Sequence, residues 1–107
     1  MVEESISHVV QRYLAALQEE GIRAQLGVIF GSHVRGTTDL WSDIDVLVVA
    51  PEFDPPRQRR DVDRLWHVAA RTDSRIEPFP CGSQQWKSDN SSTILEIARR
   101  EGQQVTS

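Results

Sequence analysis

The sequence predicts an α/β or α+β fold in which helical and strand patterns alternate along one domain. Three observations lead to this prediction. An amphipathic helical pattern occupies the first 20 residues, two short runs rich in β-branched residues follow, and further amphipathic patterns fill the second half. A chain of 107 residues has the size of one ordinary domain and is too small for two. We therefore expect a single domain over residues 1–107, with the order α-β-(short α)-β-α-β-α.

The first helix is predicted to run from Ser5 to about Glu20. Gly21 is placed to end it, since glycine is favoured just after a helix. Its apolar side chains recur at steps of three and four residues: Ile6, Val9, Val10, Tyr13, Leu14 and Leu17.

Two predicted strands follow this helix. The run "AQLGVIF", residues 24–30, indicates a buried strand that ends at Gly31. The polar stretch from Gly31 to Ser42 must contain a turn, and its start, "SHVRG", could form a short helix. "DIDVLVVA", residues 43–50, is the strongest strand pattern, and Pro51 ends it because proline cannot donate to a strand ladder.

The third helix is predicted within "DPPRQRRDVDRLWHVAART", residues 54–72. Asp54 is a candidate N-terminal cap, and the two prolines after it are tolerated at a helix start. Its buried face is predicted from helical spacing to contain Val62, Leu65, Trp66 and Ala69.

The remaining segments predict a strand, a loop and a last helix. "RIEPFP", residues 75–80, suits the edge of a sheet because of its prolines. "CGSQQWKSDN", residues 81–90, is interpreted as a loop. In "STILEIARREG", Thr93 and Glu96 form a capping-box pattern and Gly102 follows the helix end.

Composition limits the classes of function. The formal net charge is −4, which argues against direct nucleic-acid binding because domains that bind nucleic acid are usually basic. The single cysteine, Cys81, cannot form an intramolecular disulfide and indicates a free thiol in a reducing compartment. The N-terminus lacks the apolar segment of a signal peptide, and no apolar stretch is long enough for a membrane span. We expect a cytoplasmic protein without membrane contact.

Two acids open the strongest strand pattern. Residues two apart in a strand point to the same side, so Asp43 and Asp45 should project together while Ile44, Val46 and Val48 face a core. Two adjacent carboxylates repel each other unless a cation lies between them. Oxygen ligands of this kind suit Mg²⁺, which takes one or two carboxylates together with phosphates and water.

The turn before these acids has the properties of a phosphate site. Gly31 lets backbone N–H groups approach an anion, Ser32 offers a hydroxyl, and Arg35 can add a charge-assisted contact. If the two strands are neighbours, this turn lies beside Asp43 and Asp45. Either feature alone has an ordinary structural explanation, as a turn or as a solvated strand end. Their combination is more specific and indicates a nucleoside-triphosphate site.

The stretch "GSHVRGTTDLWSDIDVLVV" resembles the signature of the nucleotidyltransferase superfamily related to DNA polymerase beta, in which Gly-Ser, ten residues and Asp-x-Asp follow one another. It is similar in particular to the minimal nucleotidyltransferases encoded beside HEPN toxins. The resemblance implies a small mixed sheet flanked by helices, two Mg²⁺ ions held by Asp43 and Asp45, and a triphosphate gripped by Gly31 and Ser32.

The resemblance also implies a third carboxylate on a later strand, which binds metal and helps to align or deprotonate the attacking hydroxyl. Glu77 in "RIEPFP" matches this position. Asp73 is the competing candidate, but it lies in the helix-to-strand connection, where acids usually serve as turn residues.

The function implied by this resemblance is transfer of a nucleotidyl group, AMP from ATP, to a hydroxyl of a partner protein of the HEPN type. Two alternatives stay open: a non-catalytic antitoxin that acts by occlusion, and transfer to a small molecule such as an aminoglycoside. The roles of His33, Trp41, Trp86 and the basic cluster Arg57–Arg64 also stay open. A lone loop histidine such as His33 is more often simply solvated.

Overall fold

The structure, a computed structural model, describes residues 2–35, 42–88 and 92–107, apart from the side chains of Ser32 and Arg35. A short 3-10 turn covers Pro51–Phe53. The helices are α1 (Glu4–Glu19), α2 (Ser32–Arg35), α3 (Arg59–Thr72), α4 (Ser83–Ser88) and α5 (Thr93–Glu101). The strands are β1 (Leu26–Phe30), β2 (Ile44–Val49), β3 (Ile76–Cys81) and β4 (Gln103–Val105). The predicted order of elements is present, and α4 and β4 are added to it.

The four strands form one mixed sheet in the order β3-β2-β1-β4. β1 is antiparallel to both β2 and β4, while β2 and β3 run parallel. The mixed sheet that the family resemblance implies is therefore confirmed. β3 lies at the edge of the sheet, as predicted, and this position tolerates Pro78 and Pro80 because an edge strand needs only one row of ladder hydrogen bonds.

Helices cover both faces of the sheet, and the alternation of side chains along each strand assigns them to two cores. α1 and α3 pack on the face that carries Ile44, Val46 and Val48 of β2. The opposite face carries Leu47 and Val49, which pack with α5 and with Trp86 of α4. β2 is thus buried on both faces beyond its first two residues, which explains its unbroken apolar run "VLVV".

The contact between α1 and α3 confirms the first helix and corrects part of the third. All six predicted apolar residues of α1 are buried, and Gly21 follows the helix with a φ of 92°. The buried Tyr13 hydroxyl donates a hydrogen bond to the main-chain oxygen of Leu65 at 2.8 Å. Trp66, predicted to be core, is 49% exposed. The buried stripe of α3 consists of Leu65, Val68 and Ala69, so Trp66 lies beside it on the solvent side.

The predicted N-terminal cap of α3 is wrong. α3 begins at Arg59 after Gln58, and Asp54 lies upstream beside a different helix. Its carboxylate accepts hydrogen bonds from the main-chain N–H groups of Gln84 and Gln85, both at 3.2 Å. Asp54 therefore caps α4, in the segment that the sequence analysis interpreted as a loop.

The C-terminal segment differs in two further details. The cap of α5 is Ser92, whose side chain accepts a hydrogen bond from the N–H of Leu95, while Thr93 is the first helical residue. After α5 the chain forms β4, a three-residue strand that the sequence did not predict and that pairs with β1. Among the helices of the described ranges, none combines the length and apolar character that a membrane span requires.

Candidate active site

The Gly31 turn and the Asp-x-Asp stretch meet because β1 and β2 are antiparallel neighbours. Phe30, the last residue of β1, pairs with Asp45 of β2. Gly31 follows with a φ of 80°, a conformation that side chains disfavour. A Cβ atom at Gly31 would lie only 2.5 Å from Oδ2 of Asp45. Glycine is therefore required here both by the backbone and by the close approach of the Asp45 carboxylate.

Asp45 and Glu77 form a carboxyl pair. The parallel pairing of β2 with β3 places them opposite each other on the same face of the sheet. Both side chains are half-buried. Burial raises the pKa of Asp45, and the negative charges of Glu77 and Asp43 raise it further, while His33 acts in the opposite direction. In its protonated form Asp45 also donates a hydrogen bond to Glu77, which raises its pKa as well.

Asp43 lies just before β2 and is exposed to solvent. Its negative charge is near enough to raise the pKa of Asp45. Ile44, Val46 and Val48 face the opposite core, as the strand alternation predicts. Within residues 2–35, 42–88 and 92–107, no three His, Cys, Asp or Glu side chains already surround one position for a metal ion.

Asp73, the competing third acid, is engaged elsewhere. Its carboxylate forms an ion pair with Arg75 at 2.8 Å and accepts a hydrogen bond from the Arg75 main-chain N–H at 2.9 Å. These interactions lower the pKa of Asp73, with the side-chain hydrogen bond from Arg75 as the largest cause. Asp73 thus stabilises the turn between α3 and β3, while Glu77 faces Asp45.

His33 is buried beside this site, contrary to the solvated position expected for a loop histidine. Its side chain is 8% exposed, and its Nε2–H donates a hydrogen bond to the main-chain oxygen of Ser42 at 3.1 Å. Ser42 directly precedes Asp43 in sequence. The sequence offered only a weak signal for this contact, namely a histidine and a serine at the two inner ends of the ten-residue spacing.

The other residues singled out from the sequence lie partly beyond this region. The backbone of Ser32 and Arg35 belongs to α2, but their side chains, like the whole of Trp41, lie outside the described residues. Trp86 is half-buried on α4, with the Arg99 guanidinium 5.3 Å from its ring centre.

The basic cluster lies mostly on α3: Arg59, Arg60 and Arg64 belong to this helix, which packs on the face of the sheet opposite the acids. Two of its members hold neighbouring backbone: Arg57 donates to the main-chain oxygen of Phe53 at 3.1 Å, and Arg64 donates to that of Glu20 at 2.7 Å. Arg59 makes an exposed ion pair with Asp63 at 4.0 Å. These contacts give Arg57, Arg59 and Arg64 a structural role in the fold.

The donor set of the acidic pair fits Mg²⁺. Asp45 and Glu77 provide carboxylate oxygens side by side, and Asp43 adds a third nearby negative charge. A divalent cation between these carboxylates would offset the repulsion that, after burial, contributes to the raised pKa of Asp45. The Gly31 turn lies beside Asp45, so a phosphate bound at this turn would be close to the same cation.

Comparison with solved structures supports the fold. A presumed nucleotidyltransferase from Sulfolobus solfataricus superposes with a TM-score of 0.60 at 14% identity, over 94% of this chain and 78% of that one. A toxin–antitoxin crystal structure with AMP-PNP contains a chain that matches with a TM-score of 0.56 at 25% identity, over 88% of this chain and 70% of that one. No curated protein matches the sequence.

Family membership follows from the sequence profile of the nucleotidyltransferase domain. The profile matches residues 10–76, more than half of the chain, and includes Gly31, Ser32, Asp43 and Asp45. Its match ends one position before Glu77. With the mixed sheet and the acid-bearing β1–β2 hairpin, this match confirms the predicted resemblance: the chain belongs to the nucleotidyltransferase domain family.

Proposed function

We propose that this nucleotidyltransferase depends on Mg²⁺ and transfers AMP from ATP to a hydroxyl group of a partner protein. The observation that carries the proposal is the contact of three sequence-distant residues: the Gly31 turn abuts Asp45, and Asp45 pairs with Glu77. This arrangement puts a candidate phosphate site and a candidate metal site side by side.

The nucleotide would bind at the turn after β1. The backbone N–H groups of the Gly31 turn would donate hydrogen bonds to a phosphate group. The Ser32 hydroxyl would donate a hydrogen bond to a phosphate oxygen, and the Arg35 guanidinium would contribute a charge-assisted contact. Together these residues would orient the triphosphate toward Asp43 and Asp45.

The metal ions would be held by Asp43, Asp45 and Glu77. Bound Mg²⁺ would neutralise negative charge on the reacting phosphate and on the leaving pyrophosphate. The acids fix the position of the bound phosphates relative to the acceptor. Glu77, at the sheet edge, would align the attacking hydroxyl and accept its proton at a carboxylate oxygen.

The acceptor would be the hydroxyl side chain of a HEPN-type toxin, with this protein as its antitoxin. The support is the similarity to a chain of a toxin–antitoxin structure that contains AMP-PNP, an adenine nucleotide analogue. An added AMP carries a negative phosphate, which would repel RNA from a ribonuclease surface. Such inactivation would persist after the two proteins separate.

We also propose that residues 1–107 form one minimal nucleotidyltransferase domain. The late strand β4 pairs with β1, and α1 packs against α3 in the middle of the chain. Elements from both ends of the sequence therefore contribute to the same sheet and the same core.

Mass spectrometry of the intact partner tests the transfer. A candidate HEPN-type partner is incubated with ATP, Mg²⁺ and a substoichiometric amount of this protein. We expect the partner mass to increase by whole AMP units, with release of pyrophosphate, and we expect Asp43→Asn to abolish both. An unmodified partner that is silenced only at an equimolar ratio would instead establish inhibition by occlusion.

The role of Glu77 is tested by comparing the AMP transfer of variants at Glu77, in β3, and at Asp73, just before β3. Glu77→Gln is expected to slow AMP transfer by about 10²–10⁴-fold, the usual contribution of a general base. Asp73→Asn, the matched control, is expected to change transfer little because its carboxylate faces Arg75. The opposite ranking of the two variants would mean that Asp73 is the third acid.

A further inference from the structure

The hydrogen bond between His33 and Ser42 joins two segments that the sheet itself leaves unconnected. The last β1–β2 pair is Phe30 with Asp45, so the ladder holds neither α2 nor the residues just before β2. His33 belongs to α2, one position after Ser32, and Ser42 is one position before Asp43. His33 and Ser42 are nine positions apart, and their hydrogen bond connects the neighbour of the candidate phosphate-binding residue with the neighbour of the first candidate metal ligand.

The burial of His33 makes this contact specific. At 8% exposure the imidazole has little access to water, and a buried polar group without a partner is costly. A main-chain oxygen can only accept a hydrogen bond, so Nε2 must carry the proton and donate it to Ser42. A side chain of similar volume without a donor at this point would leave the Ser42 segment without that hydrogen bond.

We propose that His33 is a positioning residue for nucleotide binding and transfer. Its hydrogen bond fixes the distance between the Gly31–Ser32 turn and Asp43, so that the triphosphate and the acids face each other before the nucleotide arrives. Such preorganisation lowers the cost of ordering the site on binding. The inference rests on the proposed function, because it assumes that a nucleotide binds at this turn.

A direct contact of His33 with the nucleotide is a less suitable explanation. The ring is buried, and its Nε2 atom is used by Ser42. The proposed role acts through Ser42 and the residues that adjoin it. If His33 has this role, the site requires a hydrogen-bond donor at the position of Nε2. An aromatic side chain without such a donor should not replace His33.

Three substitutions separate the hydrogen bond from packing. His33→Gln can place an amide N–H near the position of Nε2, His33→Phe preserves a ring without a donor, and His33→Ala removes both. His67→Phe is the matched control, because His67 is an exposed histidine on α3, across the sheet from the acids. The dissociation constant of ATP with Mg²⁺ is measured by calorimetry, KM and kcat by pyrophosphate release, and folding by thermal unfolding.

We expect His33→Phe and His33→Ala to weaken ATP binding by about tenfold, the value of one such hydrogen bond, and to raise KM accordingly. His33→Gln should stay within about threefold of the wild type, and His67→Phe should match it. A purely structural role would lower the unfolding temperature and the active fraction but would leave the dissociation constant of the folded protein unchanged.

The inference is overturned if His33→Gln and His33→Phe bind ATP equally, or if all three variants bind as tightly as the wild type. A wild-type protein that does not bind ATP with Mg²⁺ would have a different meaning. That result would contradict the proposed function itself and, with it, the role of His33.

Discussion

Among single residues, the candidate site depends on how closely Gly31 and Asp45 approach each other. The turn needs a positive φ, and the Asp45 carboxylate occupies the space that a side chain at Gly31 would need. The sequence predicted that the turn and the acids would be neighbours, since two adjacent strands suffice for that. The strand pattern alone could not place Glu77 opposite Asp45, because their register is set by strand pairing across more than 30 residues of intervening chain, and only the family resemblance implied that Glu77 joins this site.

A pair of glycine substitutions measures this close approach. Gly31→Ala is expected to lower the free energy of unfolding by about 2–3 kcal/mol, because the strained backbone and the contact with Asp45 both oppose the new methyl group. Gly21→Ala is the control. Gly21 has a similar φ of 92°, but its Cβ would lie 3.7 Å from the nearest atom, Nη1 of Arg64.

Urea denaturation of both variants provides the comparison. Gly21→Ala should lower the free energy of unfolding by about 1 kcal/mol, because only the backbone conformation opposes the new methyl group. If both substitutions lower the free energy of unfolding equally, the short distance between Gly31 and the Asp45 carboxylate does not affect stability. That result would contradict the steric argument.

The ion pair of Asp73 with Arg75 predicts a pH dependence of stability. The pKa of Asp73 is lowered in the folded protein, so its stabilisation is present above the unfolded pKa of about 3.9 and is lost as pH falls through the lower folded pKa. Asp73→Asn should therefore unfold at a lower temperature than the wild type at pH 7. The two unfolding temperatures should converge below about pH 4. A difference that is independent of pH would exclude the charge as its cause.

Among the secondary-structure elements, α4 shows why some of the fold was not predictable from local sequence. Its segment "SQQWKS" is polar, and the carboxylate of Asp54 that caps it comes from 30 residues earlier. β4 is equally non-local: three residues, two of them glutamines, become a strand by pairing with β1. The helices α1 and α3 and the strands β1 and β2, by contrast, follow from periodicity. Even in α3, periodicity misassigned Trp66, since the sheet and α1 cover only a narrow stripe of that helix.

Removal of the distant cap should destabilise the region of α4. Asp54→Ala is expected to lower the free energy of unfolding by about 1–2 kcal/mol, because two main-chain N–H groups lose their acceptor. Asp63→Ala is the control, as its exposed ion pair with Arg59 at 4.0 Å should contribute at most about 0.5 kcal/mol. Denaturant titration compares the two variants. Equal effects would mean that Asp54 does not cap α4.

The assembled fold brings the candidate site to one end of the sheet. Phe30, Asp45 and Glu77 stand in register on three adjacent strands, at the margin of the core formed with α4 and α5. The strand pattern and the family resemblance together predicted which residues would gather here. The hydrogen bond between His33 and Ser42 was not predictable from the sequence, because it depends on the direction that α2 takes after β1.

Calorimetric titration of ATP with and without Mg²⁺ tests the function of this end of the sheet directly. The acids repel a triphosphate unless a cation offsets their charge, so we expect wild-type protein to bind ATP only when Mg²⁺ is present. The variant Asp43→Asn/Asp45→Asn should lose this metal-dependent binding, and Asp61→Asn/Asp63→Asn on α3, with the same change in net charge, should retain it. Equal affinity of the wild type and the Asp43→Asn/Asp45→Asn variant for ATP with Mg²⁺ would contradict a nucleotide and metal site at these residues.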